Sequence, residues 1–457
     1  MKEALTFLVS HGLQKDDQFA LVTFDNHVEL RLPIVTMTAA GKHKALEQVA
    51  SLQTGGSTNL SGGLLKGIDV LSQASREPNA RANVNRAVLL FTDGIANNGI
   101  TDSNGIVAAA QGAMIASPMT IFTFGFGRDH TESLLRNLAE QTNGLYYYVE
   151  KSEQIPESFA DCLGGLVSVV AQNAVLRIEG LDGSAIDKAH CHYKQEPQQV
   201  GVVSLMLGDI YAEDEKDILL TLKLQPLLTG AREGSVPAMR ATLRYFSVTA
   251  SAMEEVQADL AISRPTTTPI GQPLPERLAE QRERVAVSEA MVQASDLADR
   301  GQIAEGRQLL QMAVTRAKAS PCAASPVVVN IINDATACER GYESAVSYRS
   351  WGSKACKMQA MSHCQQRSTH SAGVAYESKS KMAMKMAWSS PPASLPSLSS
   401  SSAGTSSAEP EVRGLPPPGA MGLPQPGKEE APAKKKKAIF TMPSLRSMSR
   451  SSSVDLD

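Results

Sequence analysis

The stretch "RAVLLFTDG", Arg86 to Gly94, constrains the fold more than any other. From Ala87 to Phe91 it has no polar residue, it is too short for an ordinary helix, and it stops at Asp-Gly. A short run that is apolar on both sides reads as a strand buried between two layers. Neighbouring segments repeat the theme up to about residue 171. "DQFALVTF" is another two-faced strand. "VELRL" alternates, as a half-wet edge strand does, and pairs with it as a hairpin across Asp25 and Asn26. Helical spacing follows in "AGKHKALEQVASL" and "NLSGGLLKGIDVL". Then come a helix (104–116), the strand "TIFTFGFG", a helix (131–142), the strand "LYYYV" and a helix (155–170). Strands alternating with helices of this length predict an α/β domain over residues 1–171, its Rossmann-like sheet covered by helices on both faces.

From 172 to 264 the period becomes two, in "AVLRIEG", "VGVVSLMLGDIYA", "DILLTLKL" and "MRATLRYFSV". An antiparallel, sandwich-like region is expected there. A linker rich in proline and threonine (265–275) leads to a helical region (276–370). Leu278, Val285 and Val292 recur every seven residues, and Gly301 breaks the run before "AEGRQLLQMAVTRA". Further helices are expected over 328–345 and in "SKACKMQAMSHCQQ". From 388 to 457 proline, serine and glycine dominate, too little to build a core, so a disordered tail is expected. It contains Lys434 to Lys437, with the composition of a nuclear-import signal. In "SLRSMSRSSSVDLD", Ser447, Ser449 and Ser452 are candidate phosphorylation sites for basophilic kinases.

A net charge of −3 with no basic domain argues against a nucleic-acid binder. No apolar run approaches the length of a spanning helix, so no membrane role is expected. The six cysteines are scattered without CxxC pairing, which suits a reduced compartment; the cytoplasm is expected, with the nucleus as the alternative. "HCH" (His190 to His192) could ligate a metal, but no second cluster completes it, and a surface strand is the plainer reading. HExxH, GxSxG and GxGxxG patterns are absent, and no cysteine has a nucleophile's context, so no catalytic residue is assigned.

In open α/β sheets ligands bind beyond the carboxyl ends of the strands. Thr58, in the loop "GGSTNL" that opens a helix, and Asp93, which closes "AVLLF", are both placed for that edge. Ser57 and Gly94 flank them. Hydroxyl and carboxylate are hard oxygen donors, better suited to magnesium than to zinc. Taken alone, Thr58 could equally be a helix N-cap and Asp93 a turn residue.

In order and spacing, "ALVTFDNHVELRLP", "GGSTNLSGGL", "AVLLFTDGIANNG", "TIFTFGFGRDHTESLLRNLAEQTNGLYYYVEK" and "IPESFADCLGGLVSVVAQ" make residues 2–171 resemble a von Willebrand factor A domain. The resemblance implies a metal-ion-dependent adhesion site in which Thr58 matches the second-loop threonine and Asp93 the third-loop aspartate. The family's first strand, with its Asp-x-Ser-x-Ser loop, has no counterpart before "MKEALTFLV". Removing a central strand leaves buried backbone groups unpaired, at about 1–3 kcal/mol each. Met1 is therefore expected to be internal to a longer protein; the other arrangement is a strand order that closes the gap. "LMLGDIYAEDEKDILLTLKL" and "SYRSWGSKACKMQAMSHCQQRS" resemble the C-terminal region of intracellular A-domain proteins such as the plant WAVY GROWTH ubiquitin ligases, though no RING precedes Cys162. The expected function is a protein-binding module or scaffold acting through the carboxyl edge, its incomplete magnesium-type site holding Thr58 and Asp93. The alternative is a component of a RING-type ubiquitin ligase, working with the ubiquitination machinery, whose RING lies upstream or on a partner. An extracellular adhesion protein is disfavoured by the scattered cysteines.

Overall fold

The structure is a computed structural model that describes residues 2–53, 55–77, 84–196, 201–225, 235–263, 271, 273–369, 376–389 and 437–443. The chain starts with α1 (Lys2–Phe7), continued by a π-helical turn, Leu8–Gly12. The hairpin β1 (Gln18–Phe24) and β2 (Val28–Thr36) follows, then α2 (Ala39–Ala50) and α3 (Leu60–Arg76). After them β3 (Arg86–Thr92), α4 (Ser103–Met114), β4 (Thr120–Phe126), α5 (Glu132–Glu140), β5 (Tyr146–Val149) and α6 (Ile155–Leu166) alternate as the sequence predicts. β1 and β3 are buried along nearly their whole length, whereas β2 is mostly half-buried, as an edge strand should be. Phe91, Phe124, Tyr147 and Phe159 stack with centroid spacings of 4.6 to 5.1 Å, clamping α6 onto the middle of the sheet.

The second unit is antiparallel: β6 (Val169–Gly180), β7 (Ala185–His190), β8 (Lys194–Gln195), β9 (Val202–Tyr211), β10 (Leu219–Lys223), β11 (Ser235–Ser247) and β12 (Ala252–Ser263). Five of these form one sheet in the order β12-β11-β6-β9-β8, and β10 pairs with β7 in a second, smaller sheet. β7, β8 and β12 are additions to the four alternating segments expected from sequence. The proposed 265–275 linker lies largely outside the described residues. The helical region contains α7 (Glu276–Asp299), α8 (Ile303–Lys318), α9 (Pro326–Arg340), the short turn α10 (Ala345–Ser347) and α11 (Ser353–Gln365), and beyond its expected end at 370 the chain forms a further helix, α12 (Lys379–Ser389). No described helix is long and apolar enough to cross a membrane.

These units interlock. Met358 and Met361 of α11 join the core of the α/β domain, and the Lys357 ammonium sits 3.1 Å from Glu132 of α5 and 2.8 Å from Asp299 of α7. α12 lies directly on α6. A Cβ on Gly164 would come within 2.6 Å of the Lys381 Cα, so the close approach requires glycine.

The sheet of the α/β domain differs from expectation at its centre. Its order is β2-β1-β13-β3-β4-β5, where β13 is Lys437–Pro443. β13 runs antiparallel to both neighbours, while β3, β4 and β5 are mutually parallel. In the structure β13, from the stretch expected to be disordered, stands between β1 and β3. The remainder of that stretch after Ser389, with Lys434 to Lys436 and the candidate serines Ser447, Ser449 and Ser452, lies outside the described residues.

Candidate functional site at the carboxyl edge

Three loops meet where β1 and β3 end. The first is the hairpin turn after Phe24. There the Asp25 amide donates to the His27 carbonyl at 3.0 Å, and the Asp25 carboxylate accepts from the His27 amide at 2.8 Å. Such a side-chain bond two residues on is the usual reason for aspartate in a tight turn. The second loop runs into α3. Its N-cap is Asn59, whose side chain accepts from the Gly62 amide at 2.9 Å. Thr58, one residue earlier, does not cap. It is buried, at 3% exposure, and its amide donates to the Asn97 side chain at 2.7 Å. The third loop follows β3. Asp93 is half-buried, and the Asn97 and Asn98 amides return to the Thr58 carbonyl at 3.1 and 3.3 Å.

Asparagine does the stitching. The Asn26 side-chain oxygen accepts from the Ser57 amide at 3.0 Å and also meets the Ser57 hydroxyl. The Asn98 side chain donates to the Asn26 carbonyl at 3.3 Å. The Ser61 hydroxyl accepts from the Ile100 amide at 2.9 Å, and the Asn59 amide donates to the Asp25 carbonyl at 2.9 Å. Thr58, Asp93, Ser57 and Gly94 therefore stand on one edge in loops held to each other by backbone bonds. Asn97 and Asn98, which hold those loops, were not singled out from sequence, and Asn26 was read only as a hairpin-turn residue. The signal for Asn97 and Asn98 was the cluster "IANNG" after the strand, which by itself reads only as a turn.

As a metal site the donors are few. Thr58 supplies a hydroxyl and Asp93 one carboxylate. Among the described residues no group of three or more His, Cys, Asp or Glu side chains could hold a metal ion. Magnesium is ordinarily fixed by near-octahedral oxygen ligands. The described donor set does not fit a resident magnesium, and no chemistry is derived through one. "HCH" fares similarly: His190 ends β7, where its ring meets the Thr221 hydroxyl at 2.9 Å.

Two further features flank the edge. A cavity of about 150 Å³ is lined by Thr23, Phe24, Asp25, His27 and Glu29. Beyond the end of β4, the His130 ring packs on Gly125 and shares a 2.7 Å hydrogen bond with the Tyr146 hydroxyl. Burial, helped by the nearby Lys354 charge, pushes this imidazole down to about 4. A larger cavity, about 700 Å³, opens at the opposite end of the sheet, between the α/β domain and the β-rich region. Asp209 on its wall accepts from the Thr120 hydroxyl and the Asn173 amide. Its lining is mainly amide and hydrocarbon, which marks a seam between domains, whereas the carboxyl edge gathers the loop residues.

Comparison with known proteins agrees with this geometry. The von Willebrand factor type A domain family matches residues 1–161. Inter-alpha-trypsin inhibitor heavy chain H1 of Sus scrofa is 33% identical over 144 residues, 31% of this chain and 16% of that protein. E3 ubiquitin-protein ligase WAV3 of Arabidopsis thaliana is 29% identical over 243 residues, 50% of this chain and 29% of that one. The chain thus spans less than a third of either relative. Among solved structures, a von Willebrand factor type A protein from Catenulispora acidiphila superposes with a TM-score of 0.52 at 15% identity. The match covers 69% of this chain and 75% of that chain, a likeness of fold. Sheet, loop arrangement and sequence converge, and residues 1–161 of the chain are a von Willebrand factor type A domain.

Proposed function

We propose that this protein is a non-catalytic binding module that grips a protein ligand through the carboxyl edge of its A domain. The observation that supports this most is the cross-stitching of the three loops around Thr58. Rigid loops at the end of a buried sheet present a preorganised surface, which lowers the ordering cost of binding. The β-rich and helical units, fastened to the A domain through α11, serve as a platform. The docking needs no resident metal in this reading, although a ligand carboxylate and a divalent ion could together add donors to Thr58 and Asp93. We place the protein in the cytoplasm, where its unpaired cysteines would remain thiols.

A photo-crosslinking residue placed at Ser57 or Gly94 tests this in cells, with Gln111 at the opposite end as control. Adducts to a discrete protein from the first two positions, lost on Asp93→Ala, support the reading. Adducts formed equally at Gln111, or none at the edge, would overturn it.

A second reading, a ubiquitin-ligase component, is favoured by the reach of the WAV3 similarity, whose 243 residues exceed the 161 of the A-domain match. Under it the chain supplies substrate contact, and the RING comes from elsewhere. Ubiquitin transfer by the purified chain with E1 and E2 alone would exclude the purely non-catalytic role.

A further inference from the structure

The helix α12 is turned inside out. Of its three lysines, Lys381 is buried and Lys385 half-buried against α6, whereas Met382 and Met386 stand 39% and 70% exposed. A surface helix ordinarily points its charges outward and its apolar residues inward. We propose that α12 is a recognition helix for a calcium sensor of the EF-hand class, which takes it off α6 into an acid-rimmed, methionine-lined groove.

The seat on α6 holds this helix by charges that water would hold better. The Asp161 carboxylate is fully buried. One of its oxygens accepts from the Ser368 hydroxyl at 3.0 Å and lies 3.5 Å from the Lys385 ammonium; the other has no hydrogen-bond partner among the described residues. The Lys381 ammonium donates to the Ser368 hydroxyl at 2.8 Å. Burial pushes Asp161 up in spite of Lys381 and Lys385, and pushes Lys381 down in spite of Asp161 and Asp214. Burial opposes the charge on Lys385 too, but there Asp161 and Glu377 outweigh it and the group is raised. Taking such ions out of water costs as much as their pairing returns, or more. The described residues of α12 that reach the core of the A domain are Met384 and Ala387.

The pattern of the helix selects the partner. Met384 and Met386 lie about 200° apart around the axis, so apolar groups face opposite ways with Lys381 and Lys385 between them. No acidic residue occurs in α12. A flat membrane surface takes a single apolar stripe and would leave one of these faces in water. A second copy of α12 would set three lysines against three. A groove that closes around the helix buries both methionine faces, and an acidic rim pairs the lysines. Calcium-loaded sensors open such a methionine-rich groove, and basic amphipathic helices are what they take. Release also returns Asp161 and Lys381 to water, so emptying the seat costs little.

Titration of the full chain with calmodulin, in calcium and in EGTA, tests the inference. An equimolar complex that forms in calcium and dissociates in EGTA is expected. Met386→Glu should weaken it at least about tenfold, because a carboxylate then enters an acid-rimmed groove. Asp161→Asn, which lies outside α12, leaves Lys381 without its counter-charge and loosens the seat, so the complex should tighten about tenfold. No calcium-dependent complex, or one that Met386→Glu leaves unchanged, would overturn the proposal. So would equal affinity for Asp161→Asn, since the partner would then bind α12 where it sits. Binding to phosphatidylserine vesicles in place of calmodulin, with the same dependence on Met386, would make α12 a membrane contact and also overturn it. Met386 is exposed in the fold, so its variant decides the question even if Asp161→Asn does not fold.

Discussion

The guanidinium of Arg367 lies 4.3 Å from the centre of the Tyr211 ring, face-on and fully buried. From there it donates to the Asn143 carbonyl of the A domain at 2.8 Å and to the Asp209 carbonyl of β9 at 2.5 Å, and it sits 4.0 Å from the Asp214 carboxylate. One side chain from the end of the helical region thus pins the other two units together. Arg367→Met would leave Asp214 with less compensation and two carbonyls unpaired. We expect a loss of about 3–5 kcal/mol, read as a lowered urea midpoint. Arg367→Lys should recover little of it, because an ammonium cannot stack on Tyr211 and reach both carbonyls at once.

His130 gives the stability a pH dependence of definite sign. Its imidazole is held neutral in the fold, down to about 4, whereas in the unfolded chain it protonates near 6.5. Between those values the unfolded state binds more protons. The contribution is complete above about pH 6.5 and is lost as pH falls toward 4, in total on the order of 3 kcal/mol. Denaturation midpoints measured across that window should fall more steeply for the natural protein than for His130→Gln.

Gly125 is required by the same ring. A Cβ there would lie 2.3 Å from His130 Nε2, and the ring is tied to the Tyr146 hydroxyl. Gly125→Ala should cost about 1–3 kcal/mol, and His130→Ala in the same chain should return part of it. Additive losses in a double-mutant cycle would show that the two do not meet.

Asn97→Ala removes the acceptor of the Thr58 amide. Because Asn97 itself is exposed, water can partly replace it, and the expected cost is about 1 kcal/mol. The Thr58 amide should exchange markedly faster. An unchanged rate would mean that the loops are held by the backbone bonds alone.

Much of this architecture is legible in the residues. Ala87 to Phe91 read as a buried strand because nothing polar interrupts them, and Phe19 to Phe24 because only Thr23 does. Thr58 could be read as a helix cap, and only the bond from the Gly62 amide to the Asn59 side chain shows that the next residue caps instead. "AIFTM" in β13 was missed for another reason. Four apolar residues and a threonine in a stretch of serine and proline have no helical or alternating pattern, and the β3 partners that make them a strand are some 350 residues away. Arg367 and Tyr211 are likewise ordinary residues until the chain brings them together, and Asp93 gains meaning only from the loops beside it.

Synthesis delivers the A domain long before it delivers the parts that complete it. Met358 and Met361 fill its core from α11, and the Tyr148 amide on β5 donates to the Met358 sulfur at 3.2 Å. A nascent chain that has passed residue 161, where the family match ends, is still waiting for packing that emerges some two hundred residues later. Until then the helix-facing surface around β5 and α5 is bare, a natural client surface for a chaperone. Anyone cutting the gene at the domain's nominal boundary would reproduce that unfinished state permanently.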